Sequence, residues 1–197
     1  LLRNYIRLQP LLASQLSQSI MIVLFFQYLT VETKALLKLV WDSSAIVNIK
    51  EGNESGYSPA YSLWRDLSDE VFTEKYVNII PSIAIFEVNA TASSKNRDNQ
   101  RFLREFYMLG DHEEIYPIDE NLISKAYPLF AKKGFDRLRG ADLIFACIAK
   151  IENACLVTLD KAFKEYLSEE IKVIDLNDSR QTAMYRDQLW AFAKALP

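Results

Sequence analysis

An α/β fold with a central parallel sheet, three layers deep, is what this sequence predicts, on three observations. Short apolar runs of strand length alternate with stretches of helical periodicity. Half of the residues are apolar, enough to cover both faces of a sheet with helices. The 5 glycines and 6 prolines are too few for a fibrous or low-complexity chain. The length of 197 residues suits one domain with extra helices at its ends.

The elements follow in order. Leu36 to Trp41 is a mostly apolar run ending at Asp42 and reads as a buried strand. Glu51 to Gly56 has turn composition and is the expected mobile loop. Ser58 to Phe72 carries Tyr61, Trp64, Leu67 and Val71 near helical spacing. Tyr76 to Ile80 reads as a strand closed by Pro81, with Ser82 starting a helix that includes Ile83, Phe86 and Glu87. Phe102, Phe106 and Leu109 suggest a helix ended by Gly110, and Glu114 to Ile118 a short extended segment. Asn121 to Gly134 has a helical face of Leu122, Ala126, Leu129 and Phe130, with a kink or break at Pro128. Asp142 to Asn153 is an apolar helix, Cys155 to Leu159 a buried strand, Phe163 to Leu167 a short helix and Ile171 to Ile174 the last strand. Residues 1–36 read as an N-terminal extension with Met21 as an alternative start, since residue 1 is Leu. Residues 37–180 form the main domain, and 181–197 a helix with Tyr185, Leu189, Trp190, Phe192 and Leu196 on one face.

Composition narrows the function. The net charge of -3 argues against an indiscriminate, strongly basic nucleic-acid binder. The apolar run Ile20 to Phe26 is far shorter than the roughly 20 residues that span a bilayer, so no membrane role is expected. Cys147 and Cys155 have neither metal nor disulfide spacing and read as buried small hydrophobes of a reducing, cytoplasmic setting. The one histidine, His112, lies in an acidic loop and is expected to be solvated there. One histidine nearly excludes His-rich zinc chemistry and excludes a histidine-pair ribonuclease mechanism within one chain. No phosphate-binding glycine loop and no serine elbow is present.

The acids are more informative. Ligands of parallel α/β sheets bind at the carboxyl ends of the strands. Asp42 directly follows the first strand, and Asp160 follows Leu159. Asp142 opens a helix behind the basic stretch Lys132 to Gly140. Glu87 interrupts Ile83-Ala84-Ile85-Phe86 and Val88, where a carboxylate is costly unless compensated. Four converging acids repel one another unless a cation intervenes, and the hard cations Mg²⁺ and Mn²⁺ prefer such oxygen donors.

Four segments, Trp41 to Ala45, Ser82 to Val88, Gly140 to Ala146 and Leu156 to Asp160, resemble the four motifs of PIN domains, in the family's order. The resemblance covers about residues 37–178 and is nearest to VapC-type toxin ribonucleases. It implies a metal-dependent endoribonuclease in which Asp42, Glu87, Asp142 and Asp160 are catalytic and bind Mg²⁺ or Mn²⁺. It implies that Ser43, Ser44 and Thr158 support that cluster. On this reading the metal activates a water for attack on an RNA phosphodiester. An antitoxin protein is the partner that a toxin would have.

Lys132, Lys133, Arg137 and Arg139 are candidates to touch RNA phosphates, with Lys95, Arg97, Arg101 and Arg104 as a second group; a solvated charged face is the competing account. Apolar terminal segments lead to the expectation of a homodimer. Two other functions stay open. One is a non-catalytic PIN-like scaffold for RNA or protein. The other is a receiver-like domain phosphorylated on Asp42, although Asp42-Ser43-Ser44 lacks the Asp-x-Asp spacing of aspartate-nucleophile phosphatases.

Overall fold

The computed structural model describes residues 36–69, 75–94 and 110–177. Five strands make one parallel sheet: β1 (Leu37–Trp41), β2 (Tyr76–Pro81), β3 (Glu113–Tyr116), β4 (Cys155–Thr158) and β5 (Lys172–Asp175), in the order β3-β2-β1-β4-β5. Six helices are described: α1 (Ser43–Ser55), α2 (Pro59–Ser68), α3 (Ser82–Ser94), α4 (Glu120–Ala126), α5 (Gly140–Ile151) and α6 (Lys161–Leu167). Single 3₁₀ turns at Tyr127–Leu129 and Phe135–Arg137 lie between α4 and α5.

The topology decides where a site can form. From β1 the chain steps outward to β2 and β3, then returns to the other side of β1 for β4 and β5. Right-handed crossovers therefore put α1 to α3 on one face and α4 to α6 on the other. The direction reverses between β1 and β4, and the crevice at their carboxyl ends is the switch point of the sheet. Residues 42 and 160 border it. β1 and β4 are almost wholly buried, as a doubly covered sheet requires, with Trp41, Leu39, Leu156 and Val157 at its centre.

Local chemistry sets the helix boundaries. Asp42, Ser58, Asp119 and Asp160 each cap a helix by accepting a hydrogen bond from a backbone amide of its first turn. α4 gives way to a 3₁₀ turn at Tyr127-Pro128-Leu129, the break that Pro128 predicts.

Two expectations need correction. Glu51 to Ser55 is not a loop but the last turns of α1, closed by Gly56 at φ 84°. Its turn-like composition is overridden by packing: a Cβ on Gly52 would run into Ser58 and Tyr61, so glycine lets α1 and α2 approach closely. His112 is not a free surface residue. Its ring stacks on Tyr76 at 4.3 Å, and Nδ1 lies 3.1 Å from the Tyr76 carbonyl. The expected helix at Phe102 to Leu109, the basic group Lys95 to Arg104, the N-terminal extension and the C-terminal helix lie outside the described residues. Both cysteines are buried, and burial pushes the Cys147 thiol up to about 11 and the Cys155 thiol up to about 12.

Candidate active site

Asp42 occupies the first residue beyond β1 and is 3% exposed. A carboxylate there must be fully hydrogen-bonded to be tolerated. Its Oδ1 accepts from the Ala45 amide at 2.7 Å and the Ser44 hydroxyl at 2.8 Å. Its Oδ2 accepts from Ser44 at 2.9 Å and from Thr158 Oγ1 at 2.5 Å. Burial nevertheless raises its pKa to about 6; the bonds from Thr158, Ala45 and Ser44 oppose that rise, and the charge of Asp142 adds to it.

Thr158 closes β4 and has no exposed surface. While its hydroxyl donates to Asp42, its oxygen accepts from the Asp160 amide at 2.8 Å. One side chain thus ties the ends of β1 and β4 together. Ser44 makes a second tie, accepting from the Leu159 amide at 3.1 Å. Asp160 itself is exposed and caps α6 through the Ala162 amide at 2.8 Å.

Glu87 is partly buried on α3 and accepts from Ser43 Oγ at 2.5 Å. Adjacent serines therefore serve different acids: Ser43 holds Glu87 and Ser44 holds Asp42. Asp142 sits in the first turn of α5. Burial raises its pKa, and the charges of Asp160 and Glu87 raise it further. Asp142 is thus the acid that senses both Asp160 and Glu87, and its own charge reaches Asp42.

The donor set is all carboxylate and hydroxyl oxygen, which suits Mg²⁺ or Mn²⁺ and not a soft metal. Among the described residues, no three His, Cys, Asp or Glu side chains stand in an arrangement that clasps an ion.

Asp175, a further buried acid at this edge, was not singled out from sequence. It closes β5 after Val173 and Ile174, and an acid directly behind apolar strand residues is the signal it offers. Its carboxylate accepts from the Asn177 amide at 2.9 Å and lies 3.9 Å from Lys164 Nζ, so its charge is locally matched.

Of the basic candidates, Arg137 lies over the Tyr166 ring at 5.1 Å, and Arg139 Nη1 donates to the carbonyls of Asp136 and Leu138. Lys132 and Lys133 are exposed.

The model of the PIN domain matches residues 39–167, well over half of the chain. The chain belongs to the PIN domain family. The matched span starts inside β1 and ends with α6, so it contains Asp42, Glu87, Asp142 and Asp160. Solved structures share the fold. VapBC2 from Rickettsia felis, bound to a DNA fragment from their promoter, gives a TM-score of 0.52 at 17% identity, covering 71% of this chain and 98% of that one. VapBC-1 from nontypeable Haemophilus influenzae gives 0.51 at 16% identity, covering 72% and 100%. No curated protein matches the chain. Among the described residues of this PIN domain, no helix is long and apolar enough to cross a membrane.

Proposed function

We propose that this PIN domain is a metal-dependent endoribonuclease and the toxin of a toxin–antitoxin pair. What supports the catalytic part is geometry at the switch point of the sheet: Thr158 bonds both the Asp42 carboxylate and the Asp160 amide, Ser43 beside Asp42 bonds Glu87, and the charges of Asp160 and Glu87 reach Asp142. Like charges gathered in this way are a liability in a scaffold and an asset in a cation site.

Asp42, Glu87, Asp142 and Asp160 would hold Mg²⁺ or Mn²⁺. When bound, the ion would supply a water acidic enough to ionise near neutral pH and a counter-charge for the phosphate. The chain's own residues do the positioning. Thr158, Ser44 and the Ala45 amide fix the Asp42 carboxylate, and Ser43 fixes Glu87. Lys132 and Lys133 place RNA phosphates, since a site made of acids cannot by itself attract a polyanion.

The toxin assignment rests on the likeness of fold to the two VapBC complexes. It implies an antitoxin as partner and a homodimer as the assembled form. RNA cleavage by the full chain in Mn²⁺ is the test. Asp42→Asn and Asp142→Asn should each abolish cleavage while leaving a cooperative melt, and chelation should abolish it reversibly. Cleavage that survives both substitutions refutes the site. RNA binding without any cleavage by the parent chain refutes the nuclease and identifies a scaffold. Growth arrest on expression, relieved by the product of an adjacent gene, tests the toxin part. A chain without effect on growth refutes that part alone.

A further inference from the structure

Among the described residues, three donors hold the Asp42 carboxylate, and they do not hold it alike. A carboxylate offers about four lone-pair positions on its two oxygens. The Ala45 amide takes one on Oδ1 at 2.7 Å, and the Thr158 hydroxyl takes one on Oδ2 at 2.5 Å. Ser44 Oγ lies 2.8 Å from Oδ1 and 2.9 Å from Oδ2, so it straddles the carboxylate. A hydroxyl has one hydrogen and donates to one oxygen at a time. Ser44 therefore covers both remaining positions while it can fill only one. Ser43, next to it, shows the other arrangement: it bonds Glu87 through Oε2 alone.

The straddling position is the one from which an ion takes both oxygens of a carboxylate. Ca²⁺, with its large and flexible shell, accepts carboxylates in that two-oxygen mode; Mg²⁺ demands near-ideal octahedral angles, which the narrow bite of one carboxylate cannot give. Ser44 can pivot towards one oxygen of Asp42 and leave a position on the other to a small ion. It cannot make room for a chelating ion without leaving the carboxylate altogether. Leaving costs a second bond, because Ser44 Oγ also accepts from the Leu159 amide at 3.1 Å, directly before Asp160. Ser44 is exposed while Asp42 is buried, so the hydroxyl can pivot without opening the core.

We propose that Ser44 sets the choice of divalent cation: its hydroxyl fills the chelating position at Asp42, which disfavours Ca²⁺ and leaves the carboxylate to ions satisfied with one of its oxygens, Mg²⁺ and Mn²⁺. The proposal rests on the reading of Asp42, Glu87, Asp142 and Asp160 as a cation site and adds the residue that selects the ion. Ser44 is a positioning residue here, since it acts through the Asp42 carboxylate. Ala45 and Thr158 cannot take this part, because each meets a single oxygen.

The test follows Mn²⁺ bound to the full chain by electron paramagnetic resonance and displaces it with Mg²⁺ or with Ca²⁺ at pH 8, where protons compete least. Displacement reports only the site that the ions share. Ser44→Ala should raise the affinity for Ca²⁺ relative to Mg²⁺ about tenfold, the worth of one hydrogen bond to a charged group. Ser44→Thr keeps the hydroxyl and should keep the parent's ratio, and Ser43→Ala should leave the ratio unchanged. The ratio is taken within one variant, so a general loss of stability, which weakens both ions alike, does not enter it. The parent chain gives a second measure by NMR: in excess Mg²⁺ the Leu159 amide should keep its slow hydrogen exchange, because Ser44 pivots and does not leave. If Ser44→Ala leaves the ratio unchanged or moves it towards Mg²⁺, or if Ser43→Ala moves it as far, selection by Ser44 is refuted and the cation site stands. A Leu159 amide that loses its protection in Mg²⁺ refutes it as well. A parent chain that binds no Mn²⁺ refutes the cation site itself, and the role of Ser44 with it.

Discussion

At the scale of single residues, burial and hydrogen bonding pull the Asp42 carboxyl in opposite directions. Its folded pKa of about 6 lies above the usual aspartate value, so the native state without metal holds this proton more tightly than the unfolded chain. Its contribution to stability is therefore full below the unfolded pKa and is lost as pH rises from about 4 to about 6. Two pH units correspond to about 3 kcal/mol as an upper figure. Asp42→Asn should raise the metal-free melting temperature at pH 7, with the gain shrinking towards pH 4. Melts at the two pH values check this; a gain that does not depend on pH would contradict the assigned cause. Thr158→Val keeps shape and burial but removes the donor to Asp42 and the acceptor for the Asp160 amide. A loss of about 1–3 kcal/mol in urea unfolding is expected. The Asp42 carboxyl should also titrate higher by NMR, because Thr158 is the strongest influence holding it down.

At the scale of elements, two glycines with positive φ separate local strain from packing. Gly56 ends α1 at φ 84° with open space where a Cβ would stand. Gly134 has φ 92°, and a Cβ there would strike the Tyr166 carbonyl and approach Leu167 Cδ2 at 2.9 Å. Gly56→Ala should cost only the conformational penalty, about 1 kcal/mol. Gly134→Ala must also push the 3₁₀ turn at Phe135–Arg137 away from α6, and should cost at least about 2 kcal/mol more. Denaturant melts of the two variants side by side give the comparison, and equal losses would mean that the fit between this turn and α6 does not matter.

At the scale of the whole molecule, the charge cluster and the assembly are the properties to measure. A cation that binds only the folded chain stabilises it by mass action, by about 2.7 kcal/mol at a hundredfold excess over its Kd. Mn²⁺ should therefore raise the melting temperature of the parent chain and leave Asp142→Asn almost unmoved. An equal rise in both would place the ion elsewhere. Light scattering of the full chain should give a dimer at micromolar concentration, since the expected terminal helices carry more apolar surface than a small monomer needs. A chain ending near Ser179 tells whether Trp190 and Phe192 take part. A monomeric full chain refutes the dimer, and a truncated chain that still pairs refutes only the role of the tail.

Much of this architecture is written in the sequence because strands covered on both faces must be apolar throughout. Leu37 to Trp41, Tyr76 to Pro81 and Cys155 to Thr158 can hardly be read otherwise, and Pro128 announces its own break. The acids were legible for the same reason, since a carboxylate at the end of an apolar run or within one stands out. The close approach of α1 and α2 at Gly52, the stacking of His112 on Tyr76 and the local pairing of Asp175 with Lys164 were not legible. Each joins residues of separate elements, and local composition pointed elsewhere. The division of labour between Ser43 and Ser44 was equally hidden: both are small hydroxyls in the same motif, and only the placement of α3 and β4 around the start of α1 gives one to Glu87 and the other to Asp42. The sequence by itself determined which residues are acidic, apolar or chain-breaking, and so the elements and the candidate chemistry. The tertiary structure alone decided which of those residues meet, because the return of the chain from β3 to β4 across the sheet brings Asp160 and Thr158 beside Asp42.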